Sequence, residues 1–191
     1  MASQRNTIVE GHLEFAFGSS WHVIKYDDHR DYQDKIKRLD GTKALDFVAV
    51  HRTKPETLYL IEVKDFRGSR IENKARLSNG ELAVEVGQKV RDTLAGIIGG
   101  FHGVNVGDWK PVMERIMTTD QPIKIVLWLE EDLPLPSRPR GRGVQQRTVM
   151  MNILKNRLRW LTTKVFVASL QDGADVMPEL AVKSLSGARR P

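Results

Sequence analysis

Apolar residues recur at helical spacing in two separate parts of the chain. The first set comprises Val9, Leu13, Ala16 and Phe17, and Gly18 follows it as a helix stop. The second set comprises Ala83, Gly87, Val90, Leu94, Ile97 and Phe101, and it ends at the cluster of Gly99, Gly100 and Gly103. These patterns predict one helix over residues 4–17 and a second, longer helix over residues 83–101.

Segments of strand length lie between and after these helices. Residues 21–26, 44–50 and 57–64 are rich in β-forming side chains, and residues 123–129 form a nearly continuous apolar run. Such a run predicts a strand that is covered on both faces. The second and third segments are joined by a polar connection containing Pro55, which suits a turn, so they predict a hairpin.

The remaining segments divide into charged loops and C-terminal elements. The charged stretch 27–41 has too few apolar residues to enter a core, and it predicts a surface loop. Pro111 can open a short helix through Met117. Residues 133–143 are rich in Pro, Gly and Arg and predict another loop. A long helix over residues 144–161 and a last strand over residues 164–170 complete the prediction.

The order of these elements predicts an α/β fold in a single domain. The order is helix, three strands, helix, strand, and then a further helix and strand. A chain of 191 residues is within the usual size of one domain and can bury a core of its own. We expect the domain to span residues 1–183 and residues 184–191 to form a disordered tail.

Amino-acid composition indicates the cellular compartment and restricts the possible metal ligands. Hydrophobic residues make up 40% of the chain and charged residues 28%, as in ordinary globular proteins. Cysteine is absent, which excludes disulfides and thiolate metal sites and favours a reducing cytoplasm. The chain start lacks a signal-peptide core, and no stretch approaches the ~18 apolar residues that span a bilayer. We therefore expect a cytoplasmic protein without membrane association.

The charge balance favours a polyanionic partner. Thirty Lys and Arg against 24 Asp and Glu give a formal net charge of +6. Arg138, Arg140 and Arg142 lie together in the Pro- and Gly-rich loop, and they are candidates for phosphate contacts, although such runs are also common on solvated surfaces. Lys74 and Arg76 are further candidates for lining a nucleic-acid groove.

The predicted hairpin brings two carboxylates and an amine together. Side chains alternate along a strand, so Glu62 and Lys64 share one face, and a turn centred near Lys54 places Asp46 opposite Glu62. Two facing carboxylates among apolar neighbours repel each other unless a cation lies between them. Mg²⁺ prefers such oxygens, and the carbonyl of Val63 could add another. The Lys64 ammonium could orient water or stabilise charge on a phosphate.

These residues resemble the motif of the PD-(D/E)xK nuclease superfamily. Asp46 followed by an apolar strand that ends in Glu62-Val63-Lys64 carries the resemblance, which covers residues 1–130, and the predicted order matches the αβββαβ restriction-endonuclease-like core. The resemblance implies metal-dependent cleavage of nucleic acid, usually DNA, with Asp46 and Glu62 as ligands and Lys64 as a catalytic residue. It also implies an acidic residue on the first helix, here Glu14 or else Glu10, and a glutamine on the next helix, here Gln88.

The sequence thus predicts a hydrolase that cuts phosphodiester bonds in DNA with Mg²⁺ or Mn²⁺, as an endonuclease in host defence or DNA repair. RNA stays open as a substrate, as do a protein partner for target recognition and a monomeric or homodimeric state. An inactive nucleic-acid-binding subunit with the same fold is the alternative, and separation of Asp46, Glu62 and Lys64 would favour it. A third alternative is a hydrolase of small substrates, which a narrow closed pocket would favour.

Overall fold

Eight strands and several helices make up the part of the chain that the structure describes. The computed structural model describes residues 6–69, 73, 76–103, 105–118, 122–132 and 141–185, without the side chains of residues 141–145. The strands are β1 Asn6–Glu10, β2 Leu13–Phe17, β3 Trp21–Lys25, β4 Phe47–His51, β5 Thr57–Asp65, β6 Ile123–Glu130, β7 Val165–Ala168 and β8 Leu180–Ser184. The helices are α1 Arg30–Asp34, α2 Glu81–Phe101, α3 Val106–Ile116, α4 Gly141–Leu158 and α5 Gly173–Val176.

A mixed five-stranded sheet forms the centre of the α/β fold. Its strand order is β3-β4-β5-β6-β7. β4 runs antiparallel to both of its neighbours, β3 and β5, whereas β5, β6 and β7 run parallel. The predicted hairpin of β4 and β5 is confirmed, and Phe47 pairs with Ile61 in the register that the turn symmetry predicted. Residues 57–63 of β5 are buried because the strand is central and covered on both faces.

The first predicted helix is wrong, because residues 6–17 form a β-hairpin. β1 pairs with β2 around Gly11, which has a positive φ of 56°, and β8 pairs with the other edge of β2. Leu13 and Phe17 are four residues apart, so they fit a helical period and a strand period equally well. The burial of Phe15 identifies a strand, since Leu13, Phe15 and Phe17 are all buried while the residues between them are not, which is a period of two. The αβββαβ order is therefore not met at its first element.

The central sheet separates two hydrophobic cores. On one face it packs against α2, α3 and α4, with side chains such as Leu60, Val86 and Leu154. On the other face it packs against the three-stranded sheet, and this second core is rich in aromatic rings. Its rings are Phe15, Phe17, Trp21, Phe47, Tyr59 and Trp128. The result is three layers, with helices, the five-stranded sheet and the three-stranded sheet in that order.

The charged stretch after β3 is more ordered than the predicted surface loop. It contains α1 and a 3₁₀ turn, Ile36–Arg38. Asp31 of α1 is only 1% exposed, and its carboxylate accepts hydrogen bonds from Lys35, Asn105 and Trp109. Burial alone would raise the pKa of Asp31, but these donors outweigh it and lower the pKa to about 2. A buried carboxylate with three donors fixes a segment whose sequence offers few apolar anchors.

Elements near the C-terminus differ from prediction mainly in their bounds. α3 starts at Val106, before Pro111, and α4 starts at Gly141, inside the predicted loop. α5 and β8 were not predicted, and Ser184 closes β8 instead of opening a tail, while residues 186–191 lie outside the described residues. Over the described ranges, no helix combines the length and apolarity that crossing a membrane requires.

Candidate functional site

The hairpin of β4 and β5 brings Asp46, Glu62 and Lys64 together. Asp46 directly precedes β4, and its Oδ2 accepts a 2.6 Å hydrogen bond from the backbone N–H of Val63. The Lys64 ammonium lies 2.8 Å from Oε1 of Glu62. Asp46 is 7% exposed and Glu62 is 0% exposed, so both carboxylates are buried. The three side chains form one cluster at the end of β5.

Helix α2 completes this cluster with two residues that the sequence did not single out. The Lys89 ammonium lies 2.6 Å from Oε1 of Glu62, and Glu85 Oε1 lies 2.9 Å from the Lys64 ammonium. Glu85 and Lys89 are one helical turn apart and therefore face the sheet together. The available signal was their spacing of four directly beside the buried residues Val86 and Val90.

Gln88 is not part of the cluster. Its side-chain amide donates a 3.1 Å hydrogen bond to the carbonyl of Gly41, in the loop before β4. A helix turns by about 100° per residue, so the neighbour of Lys89 faces a different direction. The expected position of the glutamine was thus wrong by one residue, and a lysine occupies the place next to Glu62.

The carboxylates differ in how their charge is balanced. Burial raises the pKa of Glu62, and the nearby charges of Lys89 and Lys64 oppose that rise. Both lysines contact Oε1, whereas Oε2 is buried without a hydrogen-bond partner among the described residues. Burial, followed by the charge of Glu62, raises the pKa of Asp46 to about 8. The charge of Lys89 and the hydrogen bond from Val63 oppose this rise, but no ion pair within the described part of the chain involves Asp46.

The side chain of Lys64 is a protonated ammonium at neutral pH. Burial would lower the pKa of its ammonium, but the charge of Glu62 and hydrogen bonds to Glu62 and Glu85 outweigh burial and raise the pKa. Glu85 in turn contacts Arg76, whose guanidinium lies 2.6 Å from Oε2 of Glu85 and over the ring of Phe66. Arg76 therefore lies at the rim of the cluster. Lys74, Arg138, Arg140 and the side chain of Arg142 lie outside the described residues.

A second group of carboxylates adjoins Asp46. Oxygens of Glu10, Asp27 and Asp46 all lie within 4.8 Å of one another. Glu10 ends β1 and Asp27 follows β3, so three separate segments meet here. The Lys25 ammonium lies 3.2 Å from Glu10 Oε2 and 3.4 Å from Asp27 Oδ1. Among the described residues, Lys25 thus pairs with two of the three carboxylates of this group.

Glu14, the favoured acidic candidate on the first element, is not at the site. It lies in β2, and its carboxylate pairs at 2.8 Å with Lys183 of the neighbouring strand β8. Glu10, the less favoured candidate, takes the place near Asp46 instead. The exchange follows from the hairpin register, because Glu10 pairs with Leu13 and shares its face, whereas Glu14 pairs with Val9 on the opposite face of the sheet.

The backbone of Val63 also faces Asp46. Its N–H donates to the Asp46 carboxylate, and the N–H and C=O of one strand residue point to the same side of the strand. The Val63 carbonyl oxygen is therefore directed to the side of β5 where Asp46 lies. Backbone and carboxylate oxygens together are a donor set suited to a hard divalent cation.

Helix α2 also fixes the backbone that leads into Asp46. The Asp92 carboxylate accepts a 3.0 Å hydrogen bond from the Lys43 N–H, and the Thr93 hydroxyl accepts one of 3.0 Å from the Leu45 N–H. Asp92 and Thr93 are buried at 7% and 0% exposure. These two contacts hold the segment before β4 against the helix layer, so the position of Asp46 depends on α2.

Two carboxylate groups of the cluster have the properties expected of ligands to a divalent cation. Within the described residues, Glu62 offers a buried Oε2 without a hydrogen-bond partner, and Asp46 offers a carboxylate that forms no ion pair and has a raised pKa. An unpaired buried oxygen costs free energy that a bound cation would recover. The acidic group of Glu10, Asp27 and Asp46 indicates no particular metal.

Comparison with known proteins gives one partial similarity. Over 179 residues the chain is 26% identical to a protein named cysteine–tRNA ligase from Neisseria meningitidis serogroup A. The match covers 80% of this chain and 24% of that ligase, so the chain spans about a quarter of the length of the curated relative that it matches. No family model and no solved structure matches the chain.

Proposed function

We propose that this protein is a metal-dependent nuclease that hydrolyses phosphodiester bonds in DNA as an endonuclease. The observation that carries the proposal is the convergence of Asp46, Glu62 and Lys64, where a Glu62 oxygen has no partner among the described residues and the Asp46 carboxyl has a raised pKa. Strongly perturbed groups that meet at one place are typical of functional sites. Their convergence also speaks against the alternative of an inactive binding scaffold.

Asp46 and Glu62 would hold Mg²⁺ or Mn²⁺ through their carboxylates, with the Val63 carbonyl as a further ligand. The ion supplies Lewis acidity toward the phosphate and lowers the pKa of water. Asp46 must release its proton to become a ligand, because its pKa of about 8 keeps much of it protonated at neutral pH. Glu10 adjoins Asp46, and its carboxylate would add negative charge next to the bound cation.

Lys64 acts in this proposal as a fixed positive charge. Its raised pKa keeps the ammonium protonated at neutral pH, so Lys64 cannot serve as a general base. A protonated ammonium can donate hydrogen bonds to a phosphate oxygen or to the attacking water, and it stabilises the negative charge that grows during phosphodiester cleavage. Glu62 and Glu85 hold this ammonium from two sides and so limit the rotamers of its flexible side chain.

The test is a cleavage assay with matched variants. Purified protein is incubated with supercoiled DNA, linear duplex, single-stranded DNA and transfer RNA, each with Mg²⁺, Mn²⁺ or chelator. We expect divalent-dependent nicking that Asp46→Asn and Lys64→Met abolish, while Gln88→Ala retains it. Cleavage that persists in both site variants would show a contaminant. Absence of cleavage in the unaltered protein under every condition would refute the proposal for these substrates.

Transfer RNA is included because the partial similarity is to a protein named cysteine–tRNA ligase. Cleavage of transfer RNA in preference to DNA would change the substrate and keep the chemistry. The expectations of a protein partner for target recognition and of a monomeric or homodimeric state stay predictions.

A further inference from the structure

Basic residues flank one exposed tryptophan along the chain at the end of α4. Trp160 is 59% exposed, whereas Trp21, Trp109 and Trp128 are 7%, 0% and 2% exposed. The basic residues near it are Lys155 and Arg157 in the last turn of α4, Arg159 directly before Trp160, and Lys164 before β7. Arg157, Arg159 and Lys164 are exposed, and Lys155 is half-buried. We call these five residues the Trp160 surface.

The turn after α4 keeps this surface together. The amides of Leu161 and Thr162 donate hydrogen bonds of 2.9 and 3.0 Å to the carbonyl of Leu158. The chain thus continues to turn beyond the end of the helix, and residues three apart stay on one side. Leu158 itself is fully buried and anchors the turn in the core. Arg157 and Trp160 therefore lie on neighbouring turns of one supported segment.

The cations of the Trp160 surface differ from those of the carboxylate cluster. Lys25, Lys64, Arg76 and Lys89 all pair with carboxylates. In contrast, none of Lys155, Arg157, Arg159 and Lys164 forms an ion pair within the described ranges of the chain. Compensation of the helix dipole explains basic residues in a last helical turn. It explains neither Arg159 and Lys164, which lie beyond the helix, nor an indole exposed to water.

We propose that the Trp160 surface binds single-stranded nucleic acid. An exposed aromatic ring stacks on an unpaired base, and neighbouring cations without carboxylate partners contact the phosphates. In a duplex the bases already stack on each other, so a surface indole has no free base face to meet. The role of the bound strand as a substrate rests on the proposed nuclease function, but binding itself does not.

Helix α2 connects this surface with the carboxylate cluster. A Cβ atom at Gly87 would lie 3.1 Å from Cδ of Arg157, so α2 and the Arg157 side chain are in close contact. Glu85 and Lys89, two residues to either side of Gly87, face the carboxylates. One stretch of α2 thus touches both groups of residues. Residues two apart on a helix point about 160° away from each other, so the Arg157 contact and the carboxylates lie on opposite sides of α2.

Intrinsic fluorescence tests the binding directly, because the other three tryptophans are buried. The full chain in chelator, where no divalent-dependent cutting occurs, is titrated with an oligothymidylate of about 16 nucleotides and with a hairpin duplex. We expect the single strand to quench the solvent-exposed emission and to bind tighter than the duplex. Anionic lipid vesicles serve as a third probe, and quenching by vesicles but not by the oligonucleotide would overturn the proposal.

Variants assign the binding to individual residues, with affinity measured by anisotropy of a labelled oligonucleotide. We expect Trp160→Ala to weaken binding roughly tenfold, as loss of one stacked base does, and Trp160→Phe to retain most of it. Arg159→Gln should lower the salt dependence of the binding constant by about one phosphate contact. Arg38→Gln and Met117→Ala change an exposed cation and an exposed apolar residue elsewhere and should leave affinity unchanged.

The two proposals fail in different ways. Binding of the single strand that depends on Trp160, without any cleavage in Mg²⁺ or Mn²⁺, would support this surface and refute the nuclease. Cleavage by the unaltered protein, with Trp160→Ala and Arg159→Gln binding and cutting at unaltered levels, would refute the surface and keep the nuclease.

Discussion

The Lys89 ammonium lies 2.6 Å from Oε1 of Glu62, so a cation of the helix layer neutralises a fully buried carboxylate of the sheet. Lys64 contacts the same oxygen at 2.8 Å. Two ammonium groups on one oxygen leave the second oxygen, Oε2, without a hydrogen-bond partner among the described residues. The protein thus supplies its own cations to one oxygen of Glu62 and, within the described residues, supplies none to the other.

Lys89→Met tests how much of the stability depends on this internal cation. Glu62 would keep only Lys64, and we expect the free energy of unfolding in chelator to fall by about 2 kcal/mol, as for loss of a charged hydrogen bond. Mg²⁺ should then stabilise the variant more than the unaltered protein, because the carboxylate needs a counter-ion. Urea unfolding with and without Mg²⁺ measures both quantities. Gln88→Ala is the control, with an expected change below about 0.5 kcal/mol.

Asp46 should make stability depend on pH. Its pKa is raised from 3.8 to about 8, so between these values the folded protein binds a proton that the unfolded chain has lost. The free energy of unfolding therefore falls as pH rises through this window, by at most about 1.4 kcal/mol per pH unit, and the fall ends above pH 8. Asp46→Asn removes this titration but can keep the hydrogen bond from Val63.

Urea unfolding in chelator at several pH values compares the two proteins. The difference in unfolding free energy, variant minus unaltered protein, should grow in favour of Asp46→Asn from pH 5 to pH 8, and Mg²⁺ should stabilise only the unaltered protein. A difference that does not vary with pH would show that Asp46 is an ordinary carboxylate. Stabilisation of Asp46→Asn by Mg²⁺ would place the ion elsewhere.

Glu10 and Glu14 give opposite predictions for the same chemical change. Glu10 contributes to the acidic group around Asp46, whereas Glu14 pairs with Lys183. We expect Glu10→Gln to weaken Mn²⁺ binding roughly tenfold, as loss of a supporting group does, and Glu14→Gln to leave it unchanged. Isothermal titration with Mn²⁺ measures the affinity. Equal effects of the two variants would mean that the acidic group takes no part in binding the ion.

The site was predictable from sequence where it depends on local backbone geometry. Strand alternation fixes the common face of Glu62 and Lys64, and the turn around Pro55 fixes the position of Asp46, so a few residues of sequence suffice. Lys89 and Glu85 were missed because their place depends on the rotation with which α2 packs on the sheet. The prediction placed Gln88 at the site, whereas the packing of α2 places its neighbour Lys89 there.

The fold was predictable where one periodicity clearly dominates. The central strand β5 and the long helix α2 have unambiguous patterns, and both appear near their predicted bounds. Residues 6–17 fit two periodicities, and their choice of strand depends on pairing with β8, more than 160 residues further on. Such a long-range pairing leaves no signal in a local window of sequence. Because residues 6–17 form a hairpin and not a helix, Glu10 instead of Glu14 lies near Asp46.

Two glycines of α2 offer a test of how tightly this helix packs. A Cβ at Gly96 would collide with the hydroxyl of Tyr26, a fully buried side chain that packs against Trp109 and cannot withdraw, whereas a Cβ at Gly99 would meet no atom within 4 Å. Alanine is the better helix former at both positions, by about 1 kcal/mol. We therefore expect Gly99→Ala to raise the free energy of unfolding by about 0.5–1 kcal/mol and Gly96→Ala to lower it by about 1–3 kcal/mol. Urea unfolding of both variants measures the pair. If both variants were stabilised alike, α2 would have freedom to shift against β3 and α1, and the close placement of Lys89 on Glu62 could not depend on rigid packing of the helix.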